Sequence, residues 1–250
     1  MTAFLVQLPY SPWSLRARWA LEHHHIDFRP VMHLPMIAEP ALRAVWAVLR
    51  RDPTKLFAKA TVPILVDGGE LYGNSLEIAE HADAVGTDTK LIPEASRSEV
   101  LSWIDAADRM LEAGRMRLMD RLIASDAALR ELLPPPLRSL GPLGIATARM
   151  SSKYVKSKYV LDPPRAAPEL EAAMDAVLER VDKKIASHPY LVGDFSLADI
   201  AIAGALDMVA PRPATPLGPE NRKVWTEAHL AAAHPVAMAY RDRVFAERRN

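Results

Sequence analysis

The spacing of apolar residues changes period along the chain, and each change predicts an element. Ala3–Leu8 (AFLVQL) is a short continuous apolar run, the pattern of a buried strand. From Pro12 to His24 the period becomes helical, with Leu15, Trp19 and Ala20 on one side. Phe28–Met32 is a weaker strand, and Pro30 within it predicts a sheet edge. Leu42–Leu49 is again helical. Val62–Val66 and Glu70–Tyr72, joined through DGG, have the form of a β-hairpin. NSLEIAEHADAV then opens a helix at Asn74 or Ser75. The order βαβ, helix, ββα predicts a small mixed sheet with flanking helices.

Beyond this the strand pattern disappears. Glu94–Asp126 carries one long helical pattern, and LLPPPLRSLGPLG interrupts it, because no helix crosses three prolines. A further helix is expected to end within Tyr154–Leu161, before DPPRAAP breaks the chain again. Glu169–Ala186 is amphipathic, with Leu170, Met174, Val177, Leu178 and Val181 spaced for one face. Ser196–Val209 is apolar nearly throughout, APRPATPLGPE is a connection, and Pro235–Arg248 is the last helix. The change of character near Ala84–Glu94 divides the chain into an α+β domain, 1–86, and an all-helical domain, 94–250.

Composition narrows the chemistry. The 250 residues include no cysteine, so a disulfide, a protein thiolate or a cysteine metal site is excluded. A thiol used here has to arrive with a ligand. Basic and acidic residues balance at 31 each, which gives no electrostatic reason to expect nucleic acid or an anionic membrane as partner. No apolar run reaches membrane-spanning length and no segment resembles a signal peptide, so a cytoplasmic location is expected.

Three stretches carry candidate chemistry. In YSPWSLRARWALEHHH, Ser11 before Pro12 has the form of an N-cap followed by proline at the first helical position. No G-x-S-x-G and no local base would make Ser11 a nucleophile. His23–His25 are consecutive, so they point in different directions around a helix and read as a solvated helix end, not a metal site. In TVPILVDGGELYGNSLEIAEHAD, a cis bond at Val62–Pro63 would turn the Val62 backbone outward. A trans proline at a strand start is the alternative. Asn74 and Ser75 sit at a helix start, where they cap the helix or, with its N–H groups, receive a carboxylate. In VGDFSLADIAIAGAL, Ser196 and Asp199 have capping-box spacing, a folding signal rather than a site, with Phe195 placed to staple onto Ile200.

Together these stretches resemble the cytosolic glutathione transferase superfamily over nearly the whole chain. S-P-W-S-L-R-A-R-W-A-L-E is similar to that family's serine-type first-helix motif, A-T-V-P-I-L to its cis-proline segment, G-N-S-L-E-I-A-E-H to its acid–serine turn, and G-D-F-S-L-A-D-I to its staple and capping motif. The resemblance implies a thioredoxin-like N-terminal domain followed by an all-α C-terminal domain. It implies glutathione as co-substrate, no metal, a small hydrophobic electrophile as the second substrate, and a homodimer. Ser11 falls where serine-type members place the catalytic hydroxyl, with Ser14 as a second donor one turn on. The tyrosine-type position aligns near Gln7, so Tyr10 is not its counterpart. Val62, ahead of Pro63, would pair with the cysteinyl backbone of glutathione. Ser75 and its helix start would take the γ-glutamyl carboxylate.

Two positions depart from the family pattern. Asn74 stands where the family carries an acid facing the ligand's amino group, and Thr61 where a basic residue is common, which leaves Lys55 or Lys59 to meet the glycyl carboxylate. The stretch from Leu132 to Pro164 is longer than the family's usual connection. The expected function is activation of the glutathione thiolate for attack on an electrophile. A glutathione-dependent isomerase, dehalogenase or ether-cleaving lyase shares that first step. A non-catalytic binding or dimerisation module of the same fold is the other class.

Overall fold

The computed structural model describes residues 2–34, 38–56, 60–161 and 163–249. β1 (Ala3–Gln7), α1 (Pro12–His23) and β2 (Phe28–Met32) form the expected βαβ unit. α2 (Glu39–Leu49), β3 (Ile64–Asp67), β4 (Glu70–Tyr72) and α3 (Ser75–Val85) follow. The strands form one mixed sheet in the order β2-β1-β3-β4. β1 is parallel to β2 and antiparallel to β3, and β3 is antiparallel to β4. Pro30 therefore lies on an edge strand, where a missing ladder donor is tolerated. Gly68 and Gly69 close the β3–β4 hairpin with φ of +58° and +88°, values that side chains disfavour and this tight turn requires. Leu42, Ala60, Ile64 and Leu71 make a core against which Trp46 and Val62 pack.

α1 packs on α3, and Ala17, Ala20 and Leu21 on one helix and Ile78, Ala79 and Ala82 on the other are all buried. One sequence expectation is corrected at the end of α1. His25 is exposed, but His24 is not part of a solvated helix end. Its ring is buried and its Nε2 lies 2.7 Å from Asp83 Oδ1. Asp83 also accepts the N–H groups of Leu91 and Ile92 at 2.9 and 2.8 Å. A buried carboxylate needs such partners, and the histidine completes the set. Gly86 follows from the same packing, since a Cβ there would stand 2.4 Å from the Cβ of His24.

The remainder is helical: α4 (Arg97–Ala124), α5 (Asp126–Leu132), α6 (Pro135–Arg138), α7 (Pro142–Lys158), α8 (Ala167–Ile185), α9 (Leu197–Val209), α10 (Pro219–Trp225), α11 (Ala228–Ala233) and α12 (Pro235–Arg248). The long pattern expected over Glu94–Asp126 stops at Ser125, whose Oγ accepts the Ala128 N–H at 3.2 Å and starts α5. The five α8 residues assigned to one face are all buried. The proline-rich connection contains the start of α10, with Pro219 at its first turn.

By its contacts the chain forms two compact units. One comprises Met1–Ile104, Pro189–Gly204 and Val244–Asn250; the other comprises Asp105–His188 and Ala205–Arg243. In the first, Asp199 is fully buried and accepts the N–H groups of Leu191 and Ser196, both at 2.9 Å, and the Ser196 hydroxyl at 3.0 Å. The box at α9 is thus built on the carboxylate: Ser196 donates its hydroxyl instead of accepting with it. Phe195 joins an aromatic group with Trp19, His23 and Tyr190. In the second unit, Glu227 accepts from Arg117 at 3.0 Å and Arg121 at 2.7 Å, tying the start of α11 to α4. His234 lies between Asp175 at 2.9 Å and Asp182 at 2.7 Å, and Asp182 also accepts the Ala237 N–H of α12 at 2.8 Å.

These buried groups make two stability predictions. Asp199→Ala leaves three buried donors without their acceptor, so it is expected to cost about 3 kcal/mol or more in urea denaturation. Burial alone would lower the pKa of His234, but the hydrogen bonds and charges of Asp175 and Asp182 outweigh it and raise the value above the ordinary 6.5. A histidine so raised adds stability that is complete below about pH 6.5 and is lost as pH rises through the native value. The thermal midpoint should therefore fall as pH climbs from about 6.5, and His234→Gln should lack that part of the slope.

Candidate functional site

The chain turns at Leu8, whose carbonyl accepts the Ser11 N–H at 3.0 Å, and α1 begins. Ser11 is its N-cap in extended conformation, φ −77° and ψ 128°, with Pro12 in the first turn. Its carbonyl accepts the Leu15 N–H at 2.8 Å and its Oγ accepts the Ser14 N–H at 3.5 Å. The hydroxyl is half-buried, and acceptance through oxygen leaves its proton able to donate elsewhere. Ser14 is fully buried, and its Oγ accepts the Leu8 N–H at 3.2 Å, which closes the β1–α1 turn. Burial pushes the phenol of neighbouring Tyr10 up to about 12, so it stays neutral near pH 7. Gln7 is buried and accepts from Arg18 Nη1 at 3.4 Å.

The peptide bond Val62–Pro63 is cis and leads into β3, with Val62 half-buried. Lys59 lies outside the described residues.

Asn74 is the N-cap of α3, and its Oδ1 accepts the N–H groups of Leu76 and Glu77, each at 2.9 Å. Its Nδ2 donates to Glu77 Oε1 at 2.8 Å, while Glu77 Oε2 accepts the Gly73 N–H at 2.7 Å and Arg50 at 2.6 Å. The first turn of α3 therefore rests on an amide–carboxylate pair. Ser75 is buried, and its Oγ accepts from Arg16 Nη1 at 3.4 Å.

Arg16, Glu77 and Arg50 are the site residues that sequence reasoning missed. Glu77 had a local signal, since Asn74-x-x-Glu77 is capping-box spacing. Arg16 had a weaker one, a cation amid apolar α1 residues. Arg50 meets Glu77 across 27 positions and carried none.

Elsewhere, the second unit has a depression of about 560 Å³ whose lining includes Arg117, Glu171 and His229. Within it Glu171 lies 3.0 Å from Arg117 and 2.9 Å from His229. Among the described residues no cluster of three or more histidine or acidic side chains is arranged to hold a metal ion. Nor is any helix among them long and apolar enough to cross a membrane.

A family model described as glutathione S-transferase, N-terminal domain, matches residues 10–85, and one described as glutathione S-transferase, C-terminal domain, matches residues 147–247. Among solved structures, the chain is similar to the β-etherase LigF from Sphingobium sp. strain SYK-6, with 17% identity over 99% of this chain and 96% of that one and a TM-score of 0.62. It is similar to glutathione S-transferase I from maize in complex with an atrazine glutathione conjugate, at 19% identity over 99% and 93% of the two chains, TM-score 0.60. It is also similar to a glutathione S-transferase from Methylobacillus flagellatus KT with glutathione bound, at 18% identity over 98% and 95%, TM-score 0.56. At these identities the likeness is one of fold. A search of curated proteins returned no match.

The Asn74–Glu77 pair makes a prediction about the cap. Aspartate caps helices as well as asparagine does. At residue 74, however, it would replace the donor to Glu77 with a second carboxylate. Asn74→Asp is expected to lose about 1 kcal/mol at pH 7, and the deficit should shrink below about pH 4 as the carboxylates protonate. Urea midpoints at the two pH values measure it.

Proposed function

Because the chain belongs to the cytosolic glutathione transferase superfamily, we propose that it activates the thiol of glutathione through Ser11 and transfers it to a small hydrophobic electrophile. The observation that supports this is the Ser11 cap, in which the hydroxyl oxygen accepts the Ser14 N–H of α1, a role that does not use the hydroxyl proton. A free thiol has a pKa near 8.5 and is mostly protonated at neutral pH. A hydroxyl donor beside the positive end of α1 favours the thiolate, which is the nucleophile. A hydrogen bond to a charged group supplies about 1.5–3 kcal/mol, one to two pKa units. The thiol proton leaves to solvent, the sulfur forms a bond to the electrophilic carbon, and the bond to the leaving group breaks.

In this reading residues 1–86 hold the thiol and 94–250 supply the electrophile's pocket and the contacts of a homodimer working in the cytoplasm. Val62 and Pro63 meet the cysteinyl backbone, Ser75 takes the γ-glutamyl carboxylate, and Lys59 is assigned the glycyl carboxylate. Ser14, whose oxygen closes the turn beneath Ser11, supports the donor from below. A glutathione-dependent isomerase, dehalogenase or ether-cleaving lyase would use the same thiolate.

The second reading, a non-catalytic binding or dimerisation module, is favoured by Asn74, whose side chain serves the helix and offers a ligand's ammonium no charge. Glutathione titration separates the two, since no binding at millimolar concentration supports the module.

The kinetic test is removal of the hydroxyl. Ser11→Ala should lower kcat for thiol conjugation by about 10-fold or more, with KM for glutathione changed less than about threefold. Ser11→Gly, which retains most of the cap, should lose the same activity with less stability lost. Undiminished conjugation in both variants would refute the role of Ser11.

A further inference from the structure

The balance of 31 basic and 31 acidic residues holds for the whole chain and fails over one segment. From residue 133 to residue 161 the chain carries Arg138, Arg149, Lys153, Lys156 and Lys158 and no acidic residue. Most of this segment is α7, which has two unlike sides. Gly144, Ala148 and Ser152, spaced i, i+4 and i+8, are buried. Ala148 lies in a core with Leu122, Leu129 and Leu133, against which Leu137 and Ile145 pack. A Cβ on Gly144 would stand 2.3 Å from the Leu137 carbonyl oxygen, so the inner side is closely seated. The opposite side carries Leu143, Ala146, Met150 and Lys153, spaced for one face and all exposed. Leu143 is 66% and Met150 56% exposed, and Leu140, just ahead of the helix, is 49% exposed. Apolar residues at helical spacing ordinarily turn inward, and here a second apolar row turns outward.

Cations flank this row. Arg149, Lys153 and Lys156 follow one another at i, i+4 and i+7 along one side of it. Arg149 pairs with Asp126 and Lys156 with Asp120, so these two secure α7 to α5 and α4. Arg138 donates to the carbonyls of Glu131 and Leu133, contacts that do not neutralise its charge. Arg138 and Lys153 are exposed. A face that is apolar along its crest and basic beside it, in a segment with no acid, fits a partner that is apolar and anionic at once. A second copy docked across a two-fold axis would set these cations against themselves. Nucleic acid phosphates would match the charge and give Leu143 and Met150 nothing apolar to bury against. We propose that α7 and the turn before it dock this protein on an anionic lipid surface. Leu140, Leu143 and Met150 enter the headgroup boundary, and Arg138 and Lys153 meet the lipid phosphates and carboxylates. The docking does not depend on the glutathione reading, and either can fail alone.

The test is flotation of the full chain with vesicles of phosphatidylcholine alone and of an equal mixture of phosphatidylcholine and phosphatidylserine. Partitioning onto the mixed vesicles should be at least about 10-fold stronger, and should fall about 10-fold between roughly 0.05 and 0.5 M salt. Leu143→Ser combined with Met150→Ser, both at exposed positions, should weaken it about 10-fold. Lys153→Glu, which leaves the apolar row intact, should weaken it at least about fivefold. Equal partitioning onto the two kinds of vesicle overturns the proposal, as does undiminished binding in either variant. Should the double variant not fold, Lys153→Glu decides alone. Analytical ultracentrifugation and titration with duplex DNA read the rival partners. Self-association abolished by the double variant, without vesicle binding, assigns the face to a second copy. Duplex DNA bound as tightly as the mixed vesicles assigns the charge to nucleic acid. Either result overturns lipid docking.

Discussion

A guanidinium buried inside a small domain costs several kcal/mol unless its donors and its charge are met, and Arg16 is such a group. One partner, Ser75, lies 59 positions away in sequence, and the same offset separates His24 from Asp83, a second polar tie between these helices. Equal offsets at the two ends mean that α1 and α3 run in the same direction and in register. Between the ties in sequence, Ala17, Ala20 and Leu21 of α1 and Ile78, Ala79 and Ala82 of α3 are buried. Both N-termini consequently face the same way, which brings Ser11 and Ser75 to one end of the layer. The candidate site exists because of that alignment.

Asn74 shows how one substitution changes the logic of such a site. An amide can accept two backbone N–H groups and still donate to a neighbouring carboxylate, whereas an acid can only accept. Glu77, held by that donation, then takes Gly73 and Arg50, so the turn before α3 is tied down from three sides. The chain has strengthened its turn with groups that would otherwise be free to meet a ligand.

Local signals carried much of this fold. Strand and helix periods placed β1, α1, β2 and the hairpin within a residue or two, and Ser11-Pro12 marked the start of α1. The buried face of α8 was legible because five apolar residues repeat at helical spacing. The short α10 and α11 were not legible, since seven and six residues are too few to show a period. His24 was read as solvated because its partner Asp83 lies 59 positions away, and no local pattern announces such a pair. The site divides in the same way. Its helix caps could be read locally, while Arg16 and Arg50 meet their partners Ser75 and Glu77 across the fold.

The central claim is that the Ser11 proton holds a ligand thiolate, and the pKa of that thiol is its most direct measure. Ultraviolet thiolate absorbance of bound glutathione, followed against pH, should show ionisation at least about one unit below the 8.5 of a free thiol. In Ser11→Ala the value should return toward 8.5. A bound thiol that titrates at 8.5 in the wild type, or an equally lowered value without the hydroxyl, would contradict the account.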